Sequence, residues 1–179
     1  GLGGYPPNDP MRVSWIGMHG SYFANKAVHD SDLVISIGAR FDDRSTGGVF
    51  EKFAPKAKVI HIDIDPSTIN KNIKVHCPIL GDAKAVIKQL LKRIPLNFKP
   101  DKNQRKSWFD KIKSWERENP TIAIQKGKMI KTSYAISLLS KITKGKAVVV
   151  TDVGQHQMWV AQYYDFQNPR NQITSGGLG

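Results

Sequence analysis

Cysteine is almost missing from this chain: Cys77 is the single thiol among 179 residues. One thiol excludes an internal disulfide and leaves no second sulfur for a metal pair, so a reducing compartment fits. Long apolar runs are missing too. None approaches the roughly 18 consecutive residues a membrane span needs, and no basic-then-apolar opening resembles a secretory signal. Acids are scarce, 15 against 27 lysines and arginines, giving a formal charge of +12. Such a balance invites a nucleic-acid or anionic-membrane partner, because clustered cations release counterions from phosphates. Here, however, the lysines stand singly or in pairs between acids and apolar residues. Zinc-finger spacing and an RNA-binding aromatic signature are both lacking. The favoured reading is a solvated lysine-rich surface, with no nucleic acid and no membrane. A basic nucleic-acid-binding module stays as the alternative from another class, and it predicts steeply salt-dependent binding.

What is present suffices for one or two modest cores, with 40% hydrophobic residues. The chain opens on Gly1 and stops inside Gly176-Gly-Leu-Gly179, where a loop should lead onward, so both ends are expected to be cuts. Ser31–Gly38 and Ala57–Asp63 are short β-branched runs closed by Gly or Asp, as buried parallel strands are. A helix is expected over 21–29. Ala83, Val86, Ile87, Leu90, Leu91 and Ile94 share one face of another, with Asp82 as N-cap and Pro95 as stop. From Asn97 to about Lys128 charged residues and prolines take over, around one amphipathic stretch carrying Trp108, Phe109, Ile112 and Trp115. That stretch reads as a helix within a linker, its apolar face docked on a neighbouring domain. Thr132 or Ser133 is placed to cap a helix with apolar Ala135, Leu138, Leu139 and Ile142, and the Gly145 turn feeds a strand, Ala147–Thr151. Strands and helices alternate, so the fold class is α/β.

Four clusters could carry chemistry. Gly17-Met-His-Gly20 precedes a helix, where backbone N–H groups can approach a phosphate closely; alone it is equally a glycine turn with an ordinary surface His19. Gly38-Ala-Arg-Phe-Asp42, followed by Asp43 and Arg44, ends the first strand. Its arginines could fork onto a diphosphate and Phe41 could cover an aromatic ring, or the charges could form a surface ion-pair network. His61-Ile-Asp-Ile-Asp65 closes the second strand, and carboxylates there accept hydrogen bonds from ribose hydroxyls in dinucleotide folds. Binding a cation or capping a turn would also explain Asp63 and Asp65, as capping would explain Asp82 after Gly81. Asp152 to His156 follow the later strand, at the carboxyl end where open α/β sheets bind ligands. Together the first three clusters and Gly81-Asp82 describe a dinucleotide cleft; residue chemistry alone does not choose between NAD and FAD.

The strings Gly17-Met-His-Gly20, Gly38-Ala-Arg-Phe-Asp-Asp-Arg44, His61-Ile-Asp-Ile-Asp65, Gly154-Gln-His-Gln-Met-Trp159 and Ser175-Gly-Gly-Leu-Gly179 closely resemble, in that order, the large catalytic subunit of acetohydroxyacid synthase (acetolactate synthase). The resemblance implies a parallel-sheet, Rossmann-like FAD-binding central domain, incomplete and ending within 1–96. A linker with a helix follows at 97–130, and 131–179 would begin an α/β thiamine-diphosphate-binding domain. FAD contacts carried over by position are Ile16, Gly17, Met18, His19, Gly38, Ala39, Arg40, Phe41, Asp42, Asp63, Ile64, Asp82, Ala83, Gly176 and Gly177. Gln155, His156 and Gly179 would lie against thiamine diphosphate, and Met18, Asp43 and Arg44 near the substrate channel.

The family joins pyruvate to a second 2-oxo acid, pyruvate or 2-oxobutyrate, with loss of CO2, on the way to branched-chain amino acids. Its FAD has no net redox role. Magnesium is held by an Asp in a Gly-Asp-Gly motif and a later Asn; this sequence has no Gly-Asp-Gly string. No metal ligand and no catalytic residue is therefore assigned here, and the chain alone is expected to be inactive. A homo-oligomer with a regulatory small subunit is implied, cytoplasmic in a bacterium and plastid or mitochondrial in a eukaryote. Another thiamine-diphosphate enzyme, such as glyoxylate carboligase or a 2-oxo acid decarboxylase, is the alternative within the superfamily.

Overall fold

A computed structural model describes residues 2–7 and 9–176. The chain divides into two compact units, Ile16–Trp115 and a second made of Gly1–Trp15 with Glu116–Gly179. The first contains α1 (Tyr22–His29), β1 (Leu33–Ile37), the short α2 (Asp43–Thr46), β2 (Lys58–Asp63), β3 (Cys77–Leu80) and α3 (Ala83–Arg93). Its strands form one parallel sheet ordered β1-β2-β3, with Ile37 level with Ile62 and Asp63 level with Leu80. Side-chain caps start α1 and α3: Ser21 accepts from the Ala24 N–H and Asp82 from the Ala85 N–H, each satisfying a donor that the first turn leaves unpaired.

The core on one side of the sheet joins Phe41, Val59, Ile73 and Val75 to Val34, Phe50 and Phe53. The central strand β2 is buried along most of its length, whereas β1 buries only Ser36. The expectation of two buried strands therefore holds for β2 alone. Strand β1 is the sheet's edge, and its outward row of Leu33, Ile35 and Ile37 is exposed. Helix α3 likewise forms as its periodicity predicts but buries none of its residues, leaving Leu90 and Leu91 in the open. Its amphipathic face is written in the sequence while little of this chain lies against it. β3 went unforeseen because it has four residues and contains Pro78; an edge strand tolerates proline, which lacks the N–H a central ladder needs.

The amphipathic stretch after Asn97 becomes α4 (Lys102–Glu118), with Ile112 and Trp115 buried. It reaches α1 through Lys111 Nζ, 3.5 Å from Asp30, and through Lys26 Nζ, 5.8 Å above the Trp115 ring.

In the second unit α5 (Thr132–Ile142) and α6 (Gln155–Tyr163) pack on each other beside a parallel pair, β4 (Val149–Thr151) and β5 (Gln172–Thr174). Ile136, Val160, Tyr164 and Phe166 make its core. Two expectations about α5 are corrected. Its N-cap is Lys131, with no side-chain cap, because Gln125 fixes the preceding loop instead: it accepts from the Lys131 N–H and donates to the Gly127 and Met129 carbonyls. The buried face is Ile136 and Ser140, while Leu138, Leu139 and Ile142 are exposed. Ser140 is drawn inward because its hydroxyl accepts from the Asp165 N–H at 3.0 Å. Among the described residues no helix is long and apolar enough to cross a membrane.

Candidate functional site

Parallel strands end at one edge, and in the first unit that edge gathers the sequence clusters into a crest. The Gly38 N–H donates to the Ile62 carbonyl at 2.8 Å, and the Gly81 N–H donates to the Asp63 carbonyl at 2.9 Å. Gly38, Asp63 and Gly81 therefore stand side by side as three strands leave the sheet. Gly38 has φ +65°, a backbone state that glycine adopts without strain, and nothing lies within 4 Å of where a β-carbon would project. The space above it is open to a ligand.

The loop before α1 joins this crest through Arg44. The Met18 N–H donates to the Arg44 carbonyl at 2.8 Å, while Gly17 is clasped by Asn25, whose amide accepts from its N–H and donates to its carbonyl. At Gly17, φ +99°, a β-carbon would fall 2.2 Å from the Arg44 oxygen, so glycine is demanded by this close approach. Ile16 and His19 are half-buried, and Met18 is exposed. A cleft of about 410 Å³ takes in Gly17, Asn25, Ser45 and Thr46 on one flank, and another of about 370 Å³ takes in Gly81 and Asp82 on the other.

Within the Gly38–Asp42 loop, Ala39 and Arg40 are exposed. The Arg40 guanidinium reaches Asp42 at 3.4 Å, one pair of the surface network weighed from sequence. Asp42 also caps α2, accepting from the Ser45 N–H at 2.9 Å. The Ser45 hydroxyl first, then the Ser45 N–H and Arg40, hold its carboxyl below the usual range against the opposing effect of burial. Phe41 departs from expectation. It adopts φ +49° and turns its ring into the core, 5.6 Å from Phe53 and 4.9 Å from His61. A ligand on the crest would meet its backbone, so the ring is not placed to cover a ligand's own.

Asp63 is buried to 8% exposure and its Oδ1 accepts from the Asp65 N–H at 2.9 Å, while Ile64 is exposed. Asp65 caps the Pro66–Thr68 turn by accepting from the Ser67 N–H, and Ser67 lowers its carboxyl's pKa. Capping, one of the alternatives open for Asp65 and Asp82, is what both side chains do. Ala83 follows Asp82 as the first residue of α3. Asp43 and Arg44 are exposed on α2. Sequence reasoning passed over His61 and Asn72 as individual residues. Asn72 donates to the Phe41 carbonyl at 2.9 Å and braces the loop; a pairing 31 residues apart leaves no local pattern to find.

In the second unit the Gly154 turn follows β4, and Gln155 and His156 open α6, both exposed. Gln157 ties this turn to the end of β5, donating to the Thr174 hydroxyl at 2.9 Å and the Gly176 carbonyl at 3.0 Å. The Ser175 hydroxyl donates to Asp152 at 3.2 Å. Two strand ends and a helix start thus form a second polar edge, to which Gly176 belongs. Gly177 and Gly179 lie outside the described residues. No group of three or more His, Cys, Asp or Glu side chains that could hold a metal occurs among the described residues.

Comparison with known proteins finds two family models on the chain. "Thiamine pyrophosphate enzyme, central domain" matches residues 1–90, and "Thiamine pyrophosphate enzyme, C-terminal TPP binding domain" matches 152–179. The acetolactate synthase large subunit of Buchnera aphidicola subsp. Schlechtendalia chinensis is 48% identical over 99% of this chain, and that of Haemophilus influenzae 43% over 100%. Acetolactate synthase 1, chloroplastic, of Oryza sativa subsp. japonica is 42% identical over 100%. The chain spans 31% of the two bacterial relatives and 28% of the rice protein.

Proposed function

Since this chain belongs to the thiamine pyrophosphate enzymes, we propose that it is a stretch of an acetolactate synthase catalytic subunit, which joins pyruvate to pyruvate or 2-oxobutyrate with release of CO2. The observation that carries this reading is similarity along the entire chain, at 41–48% identity, to proteins named acetolactate synthase. In this reading residues 1–96 belong to the flavin-carrying domain, 97–130 link, and 131–179 open the thiamine domain.

The first crest suits the nucleotide part of FAD. The open space at Gly38 lets a diphosphate approach the backbone. The exposed Arg40 fork offers paired donors to it. The Asp63 carboxylate offers acceptors to ribose hydroxyls. Ile16 to His19, Ala39, Phe41 by its backbone, Asp42, Ile64, Asp82 and Ala83 complete that surface; for Gly176 and Gly177 an FAD contact rests on the family resemblance alone. The site's role is structural or gating, because the net reaction transfers no electrons. Met18, Asp43 and Arg44 line the way by which the oxo acids enter.

On the second edge, Gln155 and His156 bind and orient thiamine diphosphate, while a role for Gly179 rests on the family resemblance alone. Their polar side chains stand exposed at the start of α6, where backbone N–H groups also favour a diphosphate. The bound cofactor supplies the carbanion chemistry, and the protein supplies orientation and charge. Magnesium would be held by residues that this chain does not include. A homo-oligomer with a regulatory small subunit, in the cytoplasm of a bacterium or a plastid or mitochondrion of a eukaryote, completes the reading.

The test is to incubate the intact protein and its cofactors with pyruvate and measure products. Acetolactate is expected. Acetaldehyde in its place, or tartronate semialdehyde from glyoxylate, would move the assignment to a decarboxylase or a glyoxylate carboligase.

A further inference from the structure

We infer that His61 is a positioning residue for the nucleotide crest, an inference that rests on the flavin reading of that crest. His61 has 0% exposure, and neither Nδ1 nor Nε2 has a hydrogen-bond partner among the described residues. Leaving a buried polar atom unpaired forfeits its hydration with no return, and native proteins rarely tolerate it without a reason. A phenylalanine would fill the place at no such cost.

The reason lies two residues along β2, on the same face of the strand. Asp63 Oδ2 is 3.6 Å from His61 Nε2, within ion-pair range but beyond hydrogen-bond length. Its other oxygen, Oδ1, is already held by the Asp65 N–H. The carboxylate is thus fixed at one oxygen, while the second rests near an idle donor. A shift of roughly half an ångström would let Nε2–H donate to Oδ2. A ribose hydroxyl bound to Asp63 from the solvent side supplies that shift. The same imidazole meets the edge of Phe41 at 4.9 Å, where the backbone is held at φ +49°. One buried ring therefore supports both the Asp63 strand end and the Gly38–Asp42 loop, and its Nε2 becomes paired when the crest is occupied.

The experiment measures FAD binding and cofactor-free melting of the intact protein for wild type, His61→Phe and His61→Gln. His61→Phe keeps the ring and its edge contact but removes the donor. Its FAD Kd should rise about 10–100-fold, as for loss of a charge-assisted hydrogen bond, while its cofactor-free Tm stays level or rises. His61→Gln restores a donor near the Nε2 position and should return the Kd to within about threefold of wild type. In an Asp63→Ala background, His61→Phe should add nothing. An unchanged Kd in His61→Phe overturns the inference, as does a cofactor-free Tm that falls along with affinity, since that would make the role one of packing. Wild-type protein that binds no FAD would instead overturn the flavin reading itself, so the two failures are told apart.

Discussion

Replacing Gly17 with alanine should unhinge the loop that carries Met18. The new β-carbon would lie 2.2 Å from the Arg44 carbonyl oxygen and 3.0 Å from the Ser45 Cα, both backbone atoms. Neither can yield without moving α2. A non-glycine residue held at φ +99° costs about 1–3 kcal/mol. Moving Arg44 away sacrifices its bond from the Met18 N–H, about 0.5–1.5 kcal/mol more. The sum is about 1.5–4.5 kcal/mol, or a Tm lower by about 3–18 °C for a chain of this size. Gly47→Ala is the matched control: φ is +80°, but nothing lies within 4 Å of the added carbon, so only the conformational cost of about 1 kcal/mol applies. Thermal unfolding followed by circular dichroism compares the two. If Gly17→Ala destabilised no more than Gly47→Ala, the close approach to Arg44 would not be the reason for glycine there.

Trp115→Ala should cost about 3–5 kcal/mol in urea unfolding, because the ring is buried where α4 meets Lys26 and Lys111; a loss below about 1 kcal/mol would mean α4 does not pack there. Acid stability carries a signature of Asp30. The neighbouring His29, then Lys26 and Lys111, lower its pKa to about 2 against the opposing effect of burial. The folded value lies below the unfolded one of about 3.9, so its contribution is complete above about pH 4 and is lost as pH falls through 2. Asp30→Asn should flatten the stability profile over that window, and profiles of equal slope would show that Asp30 contributes nothing there.

Much of the first unit was legible because its signals are local. Asp82 before an apolar periodic run, Ser21 before Tyr22, and Gly or Asp after β-branched runs each place an element boundary within a few residues. Burial was less legible. Whether Leu33, Leu90 or Leu139 is covered depends on which layers lie opposite, which periodicity does not record. The same limit explains α5, where a hydrophobic stripe was expected but Ser140 turns inward to meet the distant Asp165 N–H. At the crest, strand-end logic placed Gly38, Asp63 and Gly81 together, since parallel strands must end at a common edge. The inward turn of Phe41 and the unpaired state of His61 come from tertiary packing, and no spacing rule reveals them.

Titration of the intact protein with FAD, followed by quenching of flavin fluorescence, tests most directly whether this crest is a nucleotide site. Saturable one-to-one binding is expected, weakened about tenfold or more when Asp63→Ala removes the acceptor for a ribose hydroxyl. Undiminished affinity in Asp63→Ala, or no saturable binding by the wild type, would contradict it.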